Sequence, residues 1–231
     1  TAVPENCQEF IADNSTEQAV PVYTNYKGTY SIQIYTAAEL AAQGYAAGDI
    51  ESIAFYQTYC SNTTTVEKYR KTTTVWMGNV SKDVFTSSQD WITSGLTEVM
   101  SATPVDFNKN GDWVDLTLDN PFTWDGTSNI AVAVLAFRNG YTEMTFRGHN
   151  DDYSGTDESR SIIAYADGSS WTVTGGVPSM SNKYKGSWRA NIKFCFSPEA
   201  CRPVTNLVVD NITATSARAR WYPGDAETKW F

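Results

Sequence analysis

Residues 112–137 read DWVDLTLDNPFTWDGTSNIAVAVLAF. In the first half Val114, Leu116 and Leu118 fall on one side of an extended chain and Trp113, Asp115 and Thr117 on the other, the period of a half-buried strand. After the turn-forming Asn-Pro and Asp-Gly steps, residues 129–137 are almost wholly apolar. That pattern predicts a central strand covered on both faces. The same alternation recurs outward from this stretch. In DIESIAFYQTYC (49–60), Ile53 and Phe55 oppose Ala54 and Tyr56; in KTTTVWMGNV (71–80), Val75 and Met77 oppose Thr74 and Trp76. TYSIQIYTAAEL (29–40) reads as a strand running into a short helix or turn, and MTFRG, RSIIAYA and WRANIKFCF add three more strands. Roughly eight short strands between Gly, Asn, Asp and Ser turns predict an all-β, antiparallel β-sandwich. Phe55, Val75, Leu116, Val132 and Phe194 are its expected core, after an irregular N-terminal section.

Of the 231 residues 41% are hydrophobic and 13% aromatic, the composition of a core-building chain. The net charge is −9 and Lys and Arg do not cluster, so a nucleic-acid partner is not expected. No apolar run approaches the roughly 20 residues that span a bilayer, so membrane insertion is not expected either. Cys7, Cys60, Cys195 and Cys201 leave three disulfide pairings open. Cys195 and Cys201 flank the expected interdomain joint at Ser197-Pro198-Glu199-Ala200, which favours that pair, with Cys7–Cys60 as the remainder. One histidine and scattered thiols cannot build a nitrogen–sulfur metal site.

Beyond the joint, TNLVVDNITATSARARWYPGDAETKWF (205–231) alternates Ala217, Ala219 and Trp221 with Arg218, Arg220 and Tyr222. Strands are expected at about 206–210 and 217–222. Pro203, Leu207, Val209, Ile212, Ala219 and Trp221 have the spacing with which a fibronectin type III domain begins, and the stretch resembles its first strands. Such sandwiches need about 100 residues, so the resemblance implies a partial domain over 201–231. Trp221 is expected to be covered by a packing partner, since ordering a lone hairpin costs about 1–2 kcal/mol per residue.

Residues from about 25 to 196, within a module expected over 1–200, carry a second resemblance. YTAAEL, IESIAFY, TTVWMGN, SQDWI, DWVDLTLDNPFTWDGTSNIAVAV and IKFCF, in that order, look like the jelly-roll modules of bacterial secreted and surface proteins. Those modules are distantly similar to cleaved-adhesin modules of gingipain-type proteases and to carbohydrate-binding jelly rolls. The resemblance implies a jelly-roll sandwich, a secreted or cell-surface setting and neighbouring domains in one polypeptide. It implies a non-catalytic carbohydrate-binding or adhesion role toward a glycan or cell-surface polysaccharide. The alternatives are a structural or protein-binding spacer, and an accessory domain of a glycosidase or peptidase.

Two loops have the residue types of a calcium site, which needs six to eight oxygen ligands. In DFNKNGD (106–112), Asp106, Asn108, Asn110 and Gly111 match half of a calcium loop with Asp112 next, although Asn110-Gly111 is equally a hairpin turn. HNDDYSGTDE (149–158) offers Asp151, Asp152, Asp157 and Glu158, which read either as a solvated acidic loop or as calcium ligands. His149, the one histidine, is expected as a solvated loop residue, because no nucleophile motif accompanies it. Flat aromatic rings with polar edges suit the C–H faces of sugars. Trp76 and Trp113, on the outward phase of their strands, and Tyr153 and Trp171, in polar loops, are the candidate ligand contacts. Trp91, Trp124 and Trp188 are expected to pack.

Overall fold

A computed structural model describes residues 6–10, 15–17, 19–137, 140–151, 158–168, 171–197 and 205–222. It contains two compact units, one over Glu5–Ser197 and a second that carries the last two strands. In chain order the larger unit holds β1 (Asn6–Phe10), β2 (Ser15–Glu17), β3 (Gly28–Tyr35), α1 (Ala37–Ala42) and β4 (Gly48–Cys60). Then come α2 (Val66–Tyr69), β5 (Arg70–Val80), β6 (Thr97–Asp106), β7 (Asp112–Trp124) and β8 (Asn129–Phe137). It closes with β9 (Met144–Asn150), β10 (Ser161–Ala166), β11 (Val173–Thr174), β12 (Val177–Pro178), β13 (Asn182–Gly186), β14 (Trp188–Ala190) and β15 (Ile192–Phe196). The first sheet runs β1-β15-β4-β9-β14, with β7 also on β4 and β2 on β9; the second runs β13-β10-β3-β8-β5-β6. The pairings within both are antiparallel.

The expected core residues Phe55, Val75, Leu116, Val132 and Phe194 are all buried in one cluster, with Ile53, Met77, Val134 and Phe146 beside them. A second cluster covers the other face of the second sheet. Tyr30, Ile32, Ala133, Leu135 and Ile162 meet Phe85, Trp91 and Ile92 from the 81–96 segment and Met180 from the end of the β11–β12 hairpin. This double cover is why β8 is apolar without alternation, as its sequence predicts. Gly176 in that hairpin has φ +74°, and a Cβ there would lie 1.9 Å from the Ile92 carbonyl oxygen.

Three expectations need correction. The N-terminal section is not irregular throughout, since β1 pairs with β15 and β2 with β9. Asn110-Gly111 is a tight turn, with Gly111 at φ +80°, but not the tip of a hairpin. It crosses between the sheets, because β6 bonds to β5 whereas β7 bonds to β4. The Asn110 side chain accepts the Cys60 amide at 2.8 Å, and the Gly111 amide donates to the Gln57 carbonyl, which docks the crossing onto β4. The favoured disulfide pairing is also overturned. Cys7 is bonded to Cys195, its register partner across β1 and β15, and Cys60 is a buried free thiol. The register decides this, since it sets the two Cα atoms 3.9 Å apart. Cys201 lies outside the described residues.

The second unit shows β16 (Thr205–Asp210) and β17 (Arg218–Tyr222) as an antiparallel pair, close to the predicted spans. Several of its described apolar side chains are exposed: Leu207 is 59% exposed, Ile212 72% and Trp221 38%.

Candidate functional site

Trp76 has the outward phase of β5, and outward here leads into the second cluster. Trp76 packs edge-on against Tyr30, ring centroids 6.1 Å apart. Trp171 presses on the same sheet so closely that a Cβ on Gly28 would sit 2.2 Å from its ring and one on Gly168 2.5 Å. Packing accounts for both tryptophans. Tyr153, Asp152 and Asp157 lie outside the described residues. Trp113 stays on the outer face of the first sheet, half-buried beside Tyr56.

The acidic candidates are drawn to cations of the protein. Asp106 takes two bonds from the Arg70 guanidinium, at 2.5 and 3.0 Å. Asn108 and Asn110 belong to the sheet crossing, and Asp112 accepts its neighbour's amide from Trp113 at 2.8 Å. Among the described residues no group of three or more His, Cys, Asp or Glu side chains is placed to hold a metal ion.

Asp151 belongs to a buried ionic network. Arg189, 1% exposed, donates from Nε and Nη2 to the Asp151 carboxylate at 2.5–3.0 Å, and from Nη1 and Nη2 to Glu39 at 3.0 and 2.9 Å. Its Nη1 also donates to the Ile34 carbonyl. Arg160 adds bonds to Glu39 and Glu158. Glu39 is here because the chain caps α1 with a Thr36–Glu39 capping box, which turns the carboxylate back toward the end of β3. Burial would raise the Glu39 carboxyl, but Arg189 and Thr36 outweigh it and hold it at about 2. Burial pushes the Asp151 carboxyl up against the pull of Arg189 and Arg160. His149 sits on β9 and not in a loop, its Nε2 3.9 Å from Asp151. With the Arg189 donors spent inside the protein, this network reads as a clamp on α1, β14 and β9.

The arrangement best suited to a ligand was not among the predicted residues. Ser161, Ile163 and Tyr165 on β10 share a face with Gly186, Tyr184 and Asn182 on β13, their register partners. Tyr23 and Tyr26, from the segment entering β3, close on them. Ring centroids are 4.2 Å apart for Tyr26–Tyr165, 5.0 Å for Tyr23–Tyr165 and 6.0 Å for Tyr165–Tyr184. All four tyrosines are half-buried. Burial, followed by the neighbouring Tyr165 and Tyr23, raises the Tyr26 hydroxyl above its ordinary value. From Tyr184 the surface sinks into a cleft of about 260 Å³ lined by Ala19, Ile163, Gly186 and Trp188.

Gly186 lets β13 pack closely on β10 beside the cleft, since a Cβ there would meet Ser161 Oγ at 2.4 Å and Ile163 Cδ1 at 2.7 Å. That Ser161 hydroxyl is buried and bonds to no described residue. Exposed Asp167 and Asn182 supply polar groups at the rim. The volume falls just short of the roughly 300–1,000 Å³ usual for small-molecule sites, room for one ring and not for a large cofactor. Tyr165 is in phase with Ile163 on its own strand, but Tyr184, Tyr23 and Tyr26 join it only through the fold.

The chain matches no known family model, and no characterised protein is similar to it in sequence.

Proposed function

We propose that the larger unit is a non-catalytic glycan-binding module whose contact surface is the tyrosine cleft. The observation that carries this reading is the half-buried quartet Tyr23, Tyr26, Tyr165 and Tyr184, continuous with a concave pocket flanked by Trp188. Aromatic faces take the apolar side of a sugar ring, and hydroxyl, amide and carboxylate groups around them take its edge. The exposed Asn182 and Asp167 are the groups we assign to that second task. The setting we propose is an exported or surface-attached protein of several domains, with a jelly-roll topology and a fibronectin type III-like segment after it. The Cys7–Cys195 bond supports the export, because such bonds persist in oxidising compartments.

Affinity electrophoresis in gels containing neutral polysaccharides (β-glucan, xylan, galactomannan) tests the reading. The wild type should be retarded in at least one of them. Tyr26→Ala and Tyr184→Ala should each weaken the retardation by about tenfold in affinity, the equivalent of 1.4 kcal/mol. Equal retardation of wild type and both variants would refute the cleft as the contact surface.

A further inference from the structure

We propose a second binding surface, on the outer face of the first sheet, that takes an acidic polysaccharide through its uronate carboxylates. Tyr56 on β4 and Trp113 on β7 are register partners, their rings edge-to-face at 5.3 Å. Each carries a cation. The Arg147 guanidinium from β9 lies 3.7 Å from the Tyr56 ring centroid, and Lys193 Nζ from β15 lies 4.2 Å from that of Trp113. Lys193 pairs in register with Ala54, so its side chain must cross β4 to reach β7. The small Ala54 makes that crossing possible and is itself 1% exposed, although it has the outward phase.

The cations are held by rings and not by acids. Among the described residues no carboxylate lies within 4.0 Å of either, and none accepts a hydrogen bond from either side chain. A guanidinium stacked on its face keeps its in-plane N–H donors, which fit a carboxylate two at a time. In a chain with 26 acidic and 17 basic side chains, these two half-buried cations make no ion pair among the described residues, although Glu9 on β1 is the register partner of Lys193. The flat ring of a sugar matches the aromatic row, and its carboxylate matches the cations. Asp115, exposed on the same face two residues from Trp113, can accept a sugar hydroxyl. A chain of uronate rings has both features at every step, whereas a neutral glycan lacks the second. This surface is separate from the tyrosine cleft, so either can fail without the other.

The test is titration calorimetry with polygalacturonate at low and high salt, beside its fully methyl-esterified form and dextran sulfate. The expected result is binding of polygalacturonate that weakens with salt and is lost on esterification. Arg147→Gln with Lys193→Gln, which keep the side-chain stems, should reduce affinity about tenfold or more, since charge-assisted bonds are the strong ones. Lys193→Arg should retain it, and Tyr184→Ala should leave it unchanged. Urea midpoints equal to wild type verify that the Gln variant is folded. Absence of polygalacturonate binding overturns the proposal, as does undiminished binding by the Gln variant or by the esterified polymer. Binding to dextran sulfate alone overturns the uronate assignment.

Discussion

Arg189→Met is the sharpest perturbation of the larger unit. The arginine side chain is 1% exposed and makes its bonds to Asp151, Glu39 and the Ile34 carbonyl. Methionine fills much of the volume but leaves the Asp151 carboxylate, also 1% exposed, with Arg160 at 3.6 Å as its nearest compensating cation. Removing one partner of a buried pair costs about 3–5 kcal/mol, because the other charge stays desolvated. The orphaned Ile34 carbonyl adds about 1 kcal/mol. Against a usual domain stability of about 5–15 kcal/mol, the variant should be only marginally folded. Equilibrium urea unfolding followed by tryptophan fluorescence measures this. The double variant Arg189→Met with Asp151→Leu removes both charges and should recover at least half of the loss, since apolar replacement of a whole buried pair is often neutral. A single variant within about 1 kcal/mol of wild type, or a double variant as unstable as the sum of the singles, would refute the argument.

Glu39 carries a pH signature: its carboxyl is held at about 2, below the ordinary 4.5, so the stability it contributes is complete above pH 4.5 and is lost as pH falls toward 2. Linkage sets that contribution at about 3 kcal/mol, with Asp151 acting in the opposite sense, and Glu39→Gln should flatten the stability slope between those limits. An unchanged slope would contradict the assignment. Reduction of the Cys7–Cys195 bond, which spans 188 residues, should lower stability by about 2–5 kcal/mol, and Cys60 should resist thiol reagents in the native state. Peptide mapping of unreduced protein that found Cys7 joined to Cys60 would contradict the pairing. Asp106→Asn should cost no more than about 1 kcal/mol, the value of an exposed pair with Arg70, and equally with and without calcium. A calcium-dependent loss would make Asp106 a metal ligand. Gly176→Ala should destabilise by several kcal/mol, about 2 or more, since both φ and the Ile92 carbonyl oppose a Cβ; a neutral effect would exclude the close approach.

Periodicity made the strands that face the core legible. Val114, Leu116 and Leu118, or Val75 and Met77, identify a buried side without any knowledge of the partner. The same rule cannot say whether the opposite side is wet. Trp76 is outward by phase, but Phe85, Trp91 and Ile92 arrive from a segment with no regular pattern and cover it. The Asn110-Gly111 turn was legible because its backbone demands glycine; which sheet the next strand joins depends on Gln57 and Cys60, some 50 residues away. The Cys7–Cys195 bond rests on the register of β1, a strand whose polar sequence gives no alternation. The tyrosine cleft was hidden for the same reason. Tyr23 and Tyr165 are 5.0 Å apart in space and 142 residues apart in the chain, and single-sequence patterns report only local neighbours.

The measurement that bears most directly on the proposed function is an NMR titration of protein carrying ¹³C-labelled tyrosine and tryptophan rings. The ligands are soluble neutral oligosaccharides cut from β-glucan, xylan and galactomannan. For at least one series the ring signals of Tyr26, Tyr165, Tyr184 and Trp188 should shift together and saturate. Those of Trp76 and Trp171, packed in the second cluster, should stay in place. Shifts confined to rings outside the cleft, or none with any series, would contradict the account.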